Sequence, residues 1–339
     1  MTIQAGAYAL VHPSFVEPEL LLQYSQPSGF IDLLAGGEPR VKIAEDDLFV
    51  YIKTLNLRSK VAAGTAGFNE LPGVDITSQM ISTATYLVQA SAQYNHHDTA
   101  AAGRWGYSAV DAYRLGLQQG FYQMARDAAL YGFNPQNGEG FLNASGATSV
   151  NLPPDSFGND TVVTYDNGQM AFFLSQQIAN IKTNTLQHGI GRHFTILGPQ
   201  RTLASFQYNV VQLVQFQREG AGTASTMGTL EKILMPNGDT LSWVYDDTLI
   251  GKGSGGADMV IIGMPEVEVP KRPTWNTNAF AALAPSNPTC LTQYADMAAP
   301  REIVSPGPYG QTNLLMEQRL TSGWAPRAQA LVLVSMQYS

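Results

Sequence analysis

The stretch from Ser108 to Tyr131 reads SAVDAYRLGLQQGFYQMARDAALY. Its apolar residues recur every three or four positions, the spacing of one face of an α-helix; they are Val110, Tyr113, Leu117, Phe121, Met124, Ala128 and Tyr131. Ser108 followed by Asp111 is typical of a helix start, and Gly132 of a helix end. The pattern predicts one helix over residues 108–131, on the order of 36 Å long.

Two glycines, Gly116 and Gly120, lie on one face inside this predicted helix. Each glycine costs roughly 1 kcal/mol relative to alanine in a helix interior. Because two glycines destabilise the helix, we expect them to have a compensating role, which is to allow another backbone to approach closely. We therefore take both glycines as candidate subunit-interface residues.

Residues 46–95 predict a long two-stranded excursion. The segments Asp47–Leu57 and Met80–Ala92 are rich in β-branched and aromatic residues, and the stretch between them is rich in Gly, Ala, Ser and Thr. The main local positive charge comes from three further interface candidates, Lys53, Arg58 and Lys60. Because an isolated two-stranded ribbon is only marginally stable in water, we expect it to rest on another surface.

Residues 1–45 predict an extended arm. Prolines and glycines interrupt every apolar stretch, so no long element can form; they are Pro13, Pro18, Pro27, Gly29, Gly36, Gly37 and Pro39. Side chains such as Phe15, Leu21 and Phe30 make the segment too apolar for a disordered tail. These three candidate interface residues pack either on the arm's own domain or on another subunit, and the sequence leaves both readings open.

The rest of the chain alternates helices and strands, which indicates an α+β protein. Helices are predicted at about 168–187, directly after Pro199, and at 226–235. The predicted strands are His193–Leu197, Leu241–Tyr245, Asp258–Ile262, Asn313–Leu320 and Ala328–Met336. We expect the last two strands to form a closing hairpin around Ser322-Gly323.

The composition excludes several classes of protein. Charged residues make up only 14% of the 339 residues, against roughly 25% in an ordinary soluble protein, which favours a surface largely covered by neighbouring subunits. The net charge of −8 does not indicate a nucleic-acid binder. No Lys or Arg precedes Arg40, so a basic secretory signal is not expected. The apolar runs are too short to span a bilayer, and the lone Cys290 excludes an intrachain disulfide.

A search for catalytic or metal-binding motifs assigns no catalytic, cofactor-binding or metal-ligating residue. Gly251–Gly256 resembles a dinucleotide fingerprint, but a predicted strand follows it where that motif requires a helix. Cys290 has no histidine near it in sequence. We expect His96-His97-Asp98 to be an exposed polar loop, and Asp246-Asp247 a solvated turn.

Two short motifs carry a resemblance to a known family. The segment Asp127–Gly132, a short loop and then Gly138–Asn143 look like an alanine-rich helix end followed by a glycine and a Gly-Phe-Leu-Asn turn. Ser322–Ala328 looks like a closing element, although Gly-Trp-Ala-Pro-Arg stands where Gly-Gly-Val is common. Together with the order of the elements, these motifs resemble the major capsid proteins of tailed bacteriophages.

That resemblance implies a domain layout. It makes 1–45 the N-terminal arm and 46–95 the E-loop. It assigns 96–154 and 306–339 to a peripheral domain built on a spine helix at about 108–131, and it assigns 155–305 to an axial domain.

The resemblance also implies a function without enzymatic activity, cofactor or membrane. The chain would assemble as pentamers and hexamers into an icosahedral shell around double-stranded DNA, which it would contact weakly and nonspecifically. A separate scaffolding protein, a portal and a possible cement protein are implied partners. The implied location is the virion, assembled in the cytoplasm of the host bacterium.

Three other readings remain open at this point. An encapsulin nanocompartment has the same fold but encloses a cargo enzyme. A soluble α/β enzyme would use the loop Gly251–Gly256 for a cofactor. A phage tail or accessory protein would assemble into tubes or rings.

Overall fold

The computed structural model describes residues 29–34, 40–41, 43–59, 74–104, 106–185, 187, 191–207, 226–268, 289–291, 293 and 295–339. The helices in these ranges are α1 His96–Arg104, α2 Ala109–Leu130, α3 Asn167–Asn184, α4 Gln200–Ser205 and α5 Thr226–Leu234. The strands are β1 Arg40–Val41, β2 Phe49–Ser59, β3 Val74–Asn95, β4 Thr148–Asn151, β5 His193–Gly198, β6 Thr240–Tyr245, β7 Asp258–Gly263, β8 Glu266–Glu268, β9 Thr289–Leu291, β10 Asp296–Met297, β11 Arg301–Pro306, β12 Gln311–Thr321 and β13 Leu331–Met336.

Helix α2 confirms the prediction for residues 108–131 within one residue at each end. Ser108 Oγ accepts a hydrogen bond from the Asp111 N–H at 3.3 Å and so caps the first turn. Gly132 has a φ of +71°, the left-handed conformation that ends a helix. Within the described ranges, no helix is both long and apolar enough to cross a bilayer.

The larger sheet contains six strands in the order β1-β10-β12-β3-β2, and β11 also pairs with β12. Strand β3 is longer than predicted, with 22 residues. It pairs with β2 over Val74–Ala84 and with β12 over Thr85–Asn95. The first half of β3 and β2 therefore form a two-stranded antiparallel ribbon, called the ribbon below, which extends from the sheet.

The second sheet has five strands in the order β4-β13-β7-β5-β6. All six residues of β7 and all six of β13 are buried, and their alternate side chains enter two different apolar clusters. Val260 and Val334 pack with the apolar face of α3, whereas Ile261 and Leu333 pack with the end of α2. A strand covered on both faces has a continuous apolar sequence, as these two strands do.

The predicted closing hairpin is wrong. Strand β12 pairs with β3, β10 and β11, whereas β13 lies in the other sheet between β4 and β7. The domain boundaries remain a prediction, but two pairings cross them. Strand β11, with five of its six residues in 155–305, pairs with β12, and β13, within 306–339, pairs with β7.

A buried ion pair holds the start of β7. The carboxylate of Asp258, which is fully buried, accepts hydrogen bonds from Arg201 Nε at 2.8 Å, Thr202 Oγ1 at 2.7 Å and the Gly251 N–H at 3.2 Å. Burial raises the pKa of Asp258, but the hydrogen bonds from Arg201, Thr202 and Gly251 outweigh it and hold the pKa below its ordinary value. The stabilisation is therefore present above pH about 4 and is lost as the pH falls through this lowered pKa.

We expect Asp258→Asn to lower the free energy of unfolding by about 2–3 kcal/mol near neutral pH, because the amide lacks the negative charge that pairs with Arg201 and has one acceptor oxygen in place of two. The expected loss is smaller than for a fully buried ion pair because the Arg201 side chain is 41% exposed to solvent. Urea unfolding between about pH 7 and 3 measures the effect, and the difference from wild type should shrink at the acid end. The control Glu302→Gln removes the partly exposed partner of Arg114 and should change little. Equal losses in both variants would contradict the assignment.

Candidate assembly surfaces

The ribbon has one apolar face that is exposed to solvent. Directly paired residues of antiparallel strands share a face, and Tyr51 pairs with Ser82 while Phe49 pairs with Ala84. Tyr51 is 60% exposed, Met80 60% and Ile76 61%. Within the described part of the chain, these large apolar side chains are left facing water.

The opposite face of the ribbon is mixed. Asp75 and Thr77 are exposed, Val50 and Ile81 are half-buried, and Thr83 is buried. The ribbon is therefore amphipathic, although a two-stranded ribbon has no second layer of its own to cover an apolar face. A surface of this kind is expected at a contact with another molecule.

The structure describes two of the predicted interface residues in the ribbon, at positions on opposite faces. Lys53 and Arg58 lie in β2, where they pair with Met80 and Asp75. The candidates Phe15, Leu21 and Lys60 lie outside the described residues.

The two helix glycines lie on an exposed stretch of α2. A Cβ atom added to Gly116 or Gly120 would meet nothing within 4 Å in the described structure. No backbone of this chain's described residues therefore approaches them, so close approach of another subunit stays a prediction.

Of the two readings that the sequence left open for the candidate interface residue Phe30, the structure has the first, packing on its own domain. Phe30 lies in the short 3₁₀ helix Gly29–Leu33 and is 1% exposed within its own chain. Its ring packs 5.5 Å from that of Tyr122 on α2, centroid to centroid. This part of the arm packs on its own domain because it covers the second face of the five-stranded sheet.

The two motifs that carried the family resemblance meet in space. The Gly140 N–H donates to Gly323 O at 2.7 Å, and the Gly323 N–H donates to Ala128 O at 2.9 Å. Ser322 Oγ donates to the carboxylate of Glu139 at 2.8 Å. We call this contact between the end of α2, the loop 132–143 and residues 322–324 the junction.

The junction leaves no space for side chains at three of its glycines, and at the first of them, Gly132, a Cβ would overlap the backbone of Glu139. A Cβ on Gly323 would overlap the backbone of Ala129, and a Cβ on Gly140 would overlap that of Tyr131. Asn143 Nδ2 closes the loop by donating to Tyr131 O at 2.8 Å. These contacts explain why the motif combines glycines with an asparagine.

The segments that were candidates for a cofactor or metal site have structural roles. Strand β7 follows the loop Gly251–Gly256, as predicted, so this loop lacks the helix of a dinucleotide site. His96 and His97 begin helix α1, where a loop was predicted, because Asn95 and Asp98 cap each other's N–H groups. Among the described residues, no three His, Cys, Asp or Glu side chains are grouped as a metal ion requires.

The predicted solvated turn at Asp246-Asp247 is wrong for its first residue. Asp246 is 3% exposed and accepts hydrogen bonds from the N–H and hydroxyl of Thr248. Asp247 instead accepts from the Gln200 N–H at the start of α4. The two carboxylates bind different partners and do not form a catalytic pair.

Three exposed aromatic residues were missed by the sequence analysis. Phe157 is 79% exposed, Phe172 59% and Tyr309 99%. Phe172 could have been recognised because it falls off the apolar stripe of α3. Tyr309 stands at a tight Pro-Tyr-Gly turn with a φ of +60°, where a bulky residue is uncommon.

Solved structures similar to this chain come from phage and GTA capsids. The capsid of Myoviridae phage XM1 is 11% identical with a TM-score of 0.66, over 97% of this chain and 98% of that chain. The capsid of the native GTA particle is 12% identical with a TM-score of 0.56, over 98% and 97%. The capsid of cyanophage P-SCSP1u is 12% identical with a TM-score of 0.54, over 98% and 94%.

The chain has the phage capsid fold. Within this capsid fold the ribbon lies in the range predicted for the E-loop, and α2 lies in that predicted for the spine helix. No protein-family model and no curated protein matches the sequence. The likeness is therefore one of structure, and it extends over nearly the whole chain.

Proposed function

We propose that this chain is the major capsid protein of a tailed bacteriophage, a structural subunit that self-assembles into an icosahedral shell around double-stranded DNA. The observation that carries the proposal is the exposed apolar face of the ribbon, on a chain with the capsid fold. Tyr51, Ile76 and Met80 face water in the single subunit, and a neighbouring copy supplies a surface that buries them.

Pentamers and hexamers of the chain are the proposed building units, and two similar structures, the capsids of the empty and the native GTA particle, were computed with C5 symmetry. The axial domain, residues 155–305, would surround the symmetry axes, and the peripheral domain would carry the spine helix. The low share of charged residues, 14%, supports a subunit with neighbours on most sides.

The other proposed partners follow from the same role. A separate scaffolding protein, a portal and a cement protein would act during assembly in the host cytoplasm and in the virion. The net charge of −8 supports weak, nonspecific contact with packaged DNA, since strong attraction to phosphates would hinder packaging.

Electron microscopy of the purified chain, alone and co-expressed with its neighbouring genes, tests the proposal together with light scattering. We expect closed icosahedral shells. A monomer or dimer under every condition would contradict a shell function and return attention to a soluble enzyme. Tubes or open rings would indicate a tail or accessory protein.

The contents of particles purified from the native host separate the two kinds of shell. Nuclease-resistant double-stranded DNA is the expected content. A co-purifying cargo enzyme without DNA would identify an encapsulin compartment instead.

A further inference from the structure

The ribbon joins the body of the subunit at a point where β3 changes partners. Strand β2 pairs with β3 as far as Ala84, and β12 pairs with it from Thr85 onward. Among the described residues, only at Thr85 is β3 bonded on both sides, because Thr85 pairs with β12 while its N–H donates to the O of Leu48, directly before β2, at 3.0 Å. A sheet stiffens a strand by pairing it on both sides, and here that pairing is confined to one residue, so this point is a potential hinge.

A cleft lies between the base of the ribbon and the junction. Its volume is about 580 Å³, and it is lined on the ribbon side by Phe49 and residues 81–84, and on the body side by residues 137–139 and 324–326. The cleft leaves room for the ribbon to tilt, so the described packing beneath the ribbon does not set its angle.

Two consecutive side chains hold the hinge. Thr85 Oγ1 donates to Asp47 O, on the segment that leads into β2, at 2.5 Å. The same oxygen accepts from Arg319 Nη1 of β12 at 3.0 Å. Thr85, which is 9% exposed, thus connects the segment that leads into β2 with strand β12 of the body.

Tyr86 fixes the strand on its other face. Its hydroxyl donates to the Glu139 carboxylate at 2.9 Å, and its ring lies 4.5 Å from that of Phe133, centroid to centroid. Glu139 is held in turn by the Asn134 N–H at 3.1 Å and Ser322 Oγ at 2.8 Å. Burial, the hydrogen bond and the charge of Glu139 together raise the pKa of Tyr86 to about 12, so this hydroxyl keeps its proton.

We propose that Thr85 and Tyr86 are positioning residues that set the angle at which the ribbon leaves the subunit, and so present its apolar face correctly to the next copy. The inference rests on the proposed function. A ribbon held in advance loses less conformational freedom when the subunit joins a shell, and this favours assembly.

The test is the double variant Thr85→Val and Tyr86→Phe, which keeps both side-chain shapes and removes both hydroxyls. The control is Thr195→Val, which also keeps the side-chain shape and removes a buried hydroxyl; this hydroxyl lies in β5 and donates to Asp32 O at 2.9 Å, not to the ribbon or to Glu139. We expect both proteins to fold, with similarly lowered thermal midpoints.

The concentration at which shells form should distinguish the double variant from the control. For the double variant, the subunit concentration needed for shell formation should rise roughly tenfold, because charge-assisted and bridging hydrogen bonds are lost, and shell diameters should spread. The control should assemble as wild type does. Wild-type assembly by the double variant, or equal impairment in the control, would overturn the proposal.

A distance measurement tests the positioning directly and does not depend on shells. Spin labels at Thr77→Cys on the ribbon and Gln118→Cys on α2, in a Cys290→Ser background, report the ribbon angle in the free subunit. The distance distribution should be narrow in wild type and in the Thr195→Val control, and broad in the double variant. Three equal widths would overturn the proposal, whereas a wild type that never forms shells would contradict only the proposed function.

Discussion

Replacing Gly323 with valine is expected to leave no folded subunit. A Cβ at this position would overlap the carbonyl group of Ala129, which is backbone and cannot rotate away. The Gly323 N–H and C=O both bond across the junction, to Ala128 O and to the Gly140 N–H. A side chain would force apart the end of α2, the loop after it and the end of β12, at a cost of more than about 4 kcal/mol.

The yield of soluble protein and its circular dichroism spectrum measure this loss. The matched control is Gly116→Ala, at a glycine where an added Cβ meets nothing within 4 Å. That substitution should raise the free energy of unfolding of the free subunit by roughly 1 kcal/mol, since alanine is the better helix former. A soluble Gly323→Val subunit with wild-type unfolding behaviour would show that the junction is not as tight as described.

The double variant Ile76→Glu and Met80→Glu is expected to fold normally and fail to assemble. Both side chains are about 60% exposed in the single subunit, so their loss removes little from its own core. In a shell, each would bury apolar area worth roughly 1.5–3 kcal/mol, and a buried unpaired carboxylate adds a further cost. A loss above about 4 kcal/mol per contact corresponds to about a thousandfold higher assembly concentration.

Light scattering across a concentration series measures this assembly, and circular dichroism checks the fold. Thr77→Glu is the matched control, because Thr77 is exposed, adjacent in sequence to Ile76 and on the opposite face of the ribbon. It should leave assembly close to wild type. Shells from the double variant at normal concentrations would remove the apolar face from the proposed interface.

The elements that the sequence predicted well are those with local causes. Helix α2 follows from its apolar stripe, the Ser108 cap and Gly132, all within one stretch of chain. Strand β5 and helix α5 were also located closely, because glycine and proline mark their ends. Local signals of this kind are sufficient to place an element along the chain.

The predictions that the structure does not support concern which surfaces pack against each other. The turn-like residues 322–327 favoured a hairpin, yet β13 pairs with β4 and β7, which are distant in sequence. The apolar sequence of the arm indicates that Phe30 is buried, but it cannot show whether its own chain or another copy buries it. The same ambiguity applies to Gly116 and Gly120, which remain open in the single subunit. The contact surface on the ribbon could be predicted from the sequence, because a two-stranded ribbon has no second layer to bury its apolar side chains.

The position of β13 near the end of the chain affects how the protein folds during its synthesis on the ribosome. Val332 pairs with Thr148, so more than half of the chain is synthesised between these two partners. Until β13 emerges, β4 and β7 each lack a neighbour and present open edges that can pair with other chains. We therefore expect the five-stranded sheet to be completed late in synthesis, with its open edges prone to aggregation until β13 pairs with them.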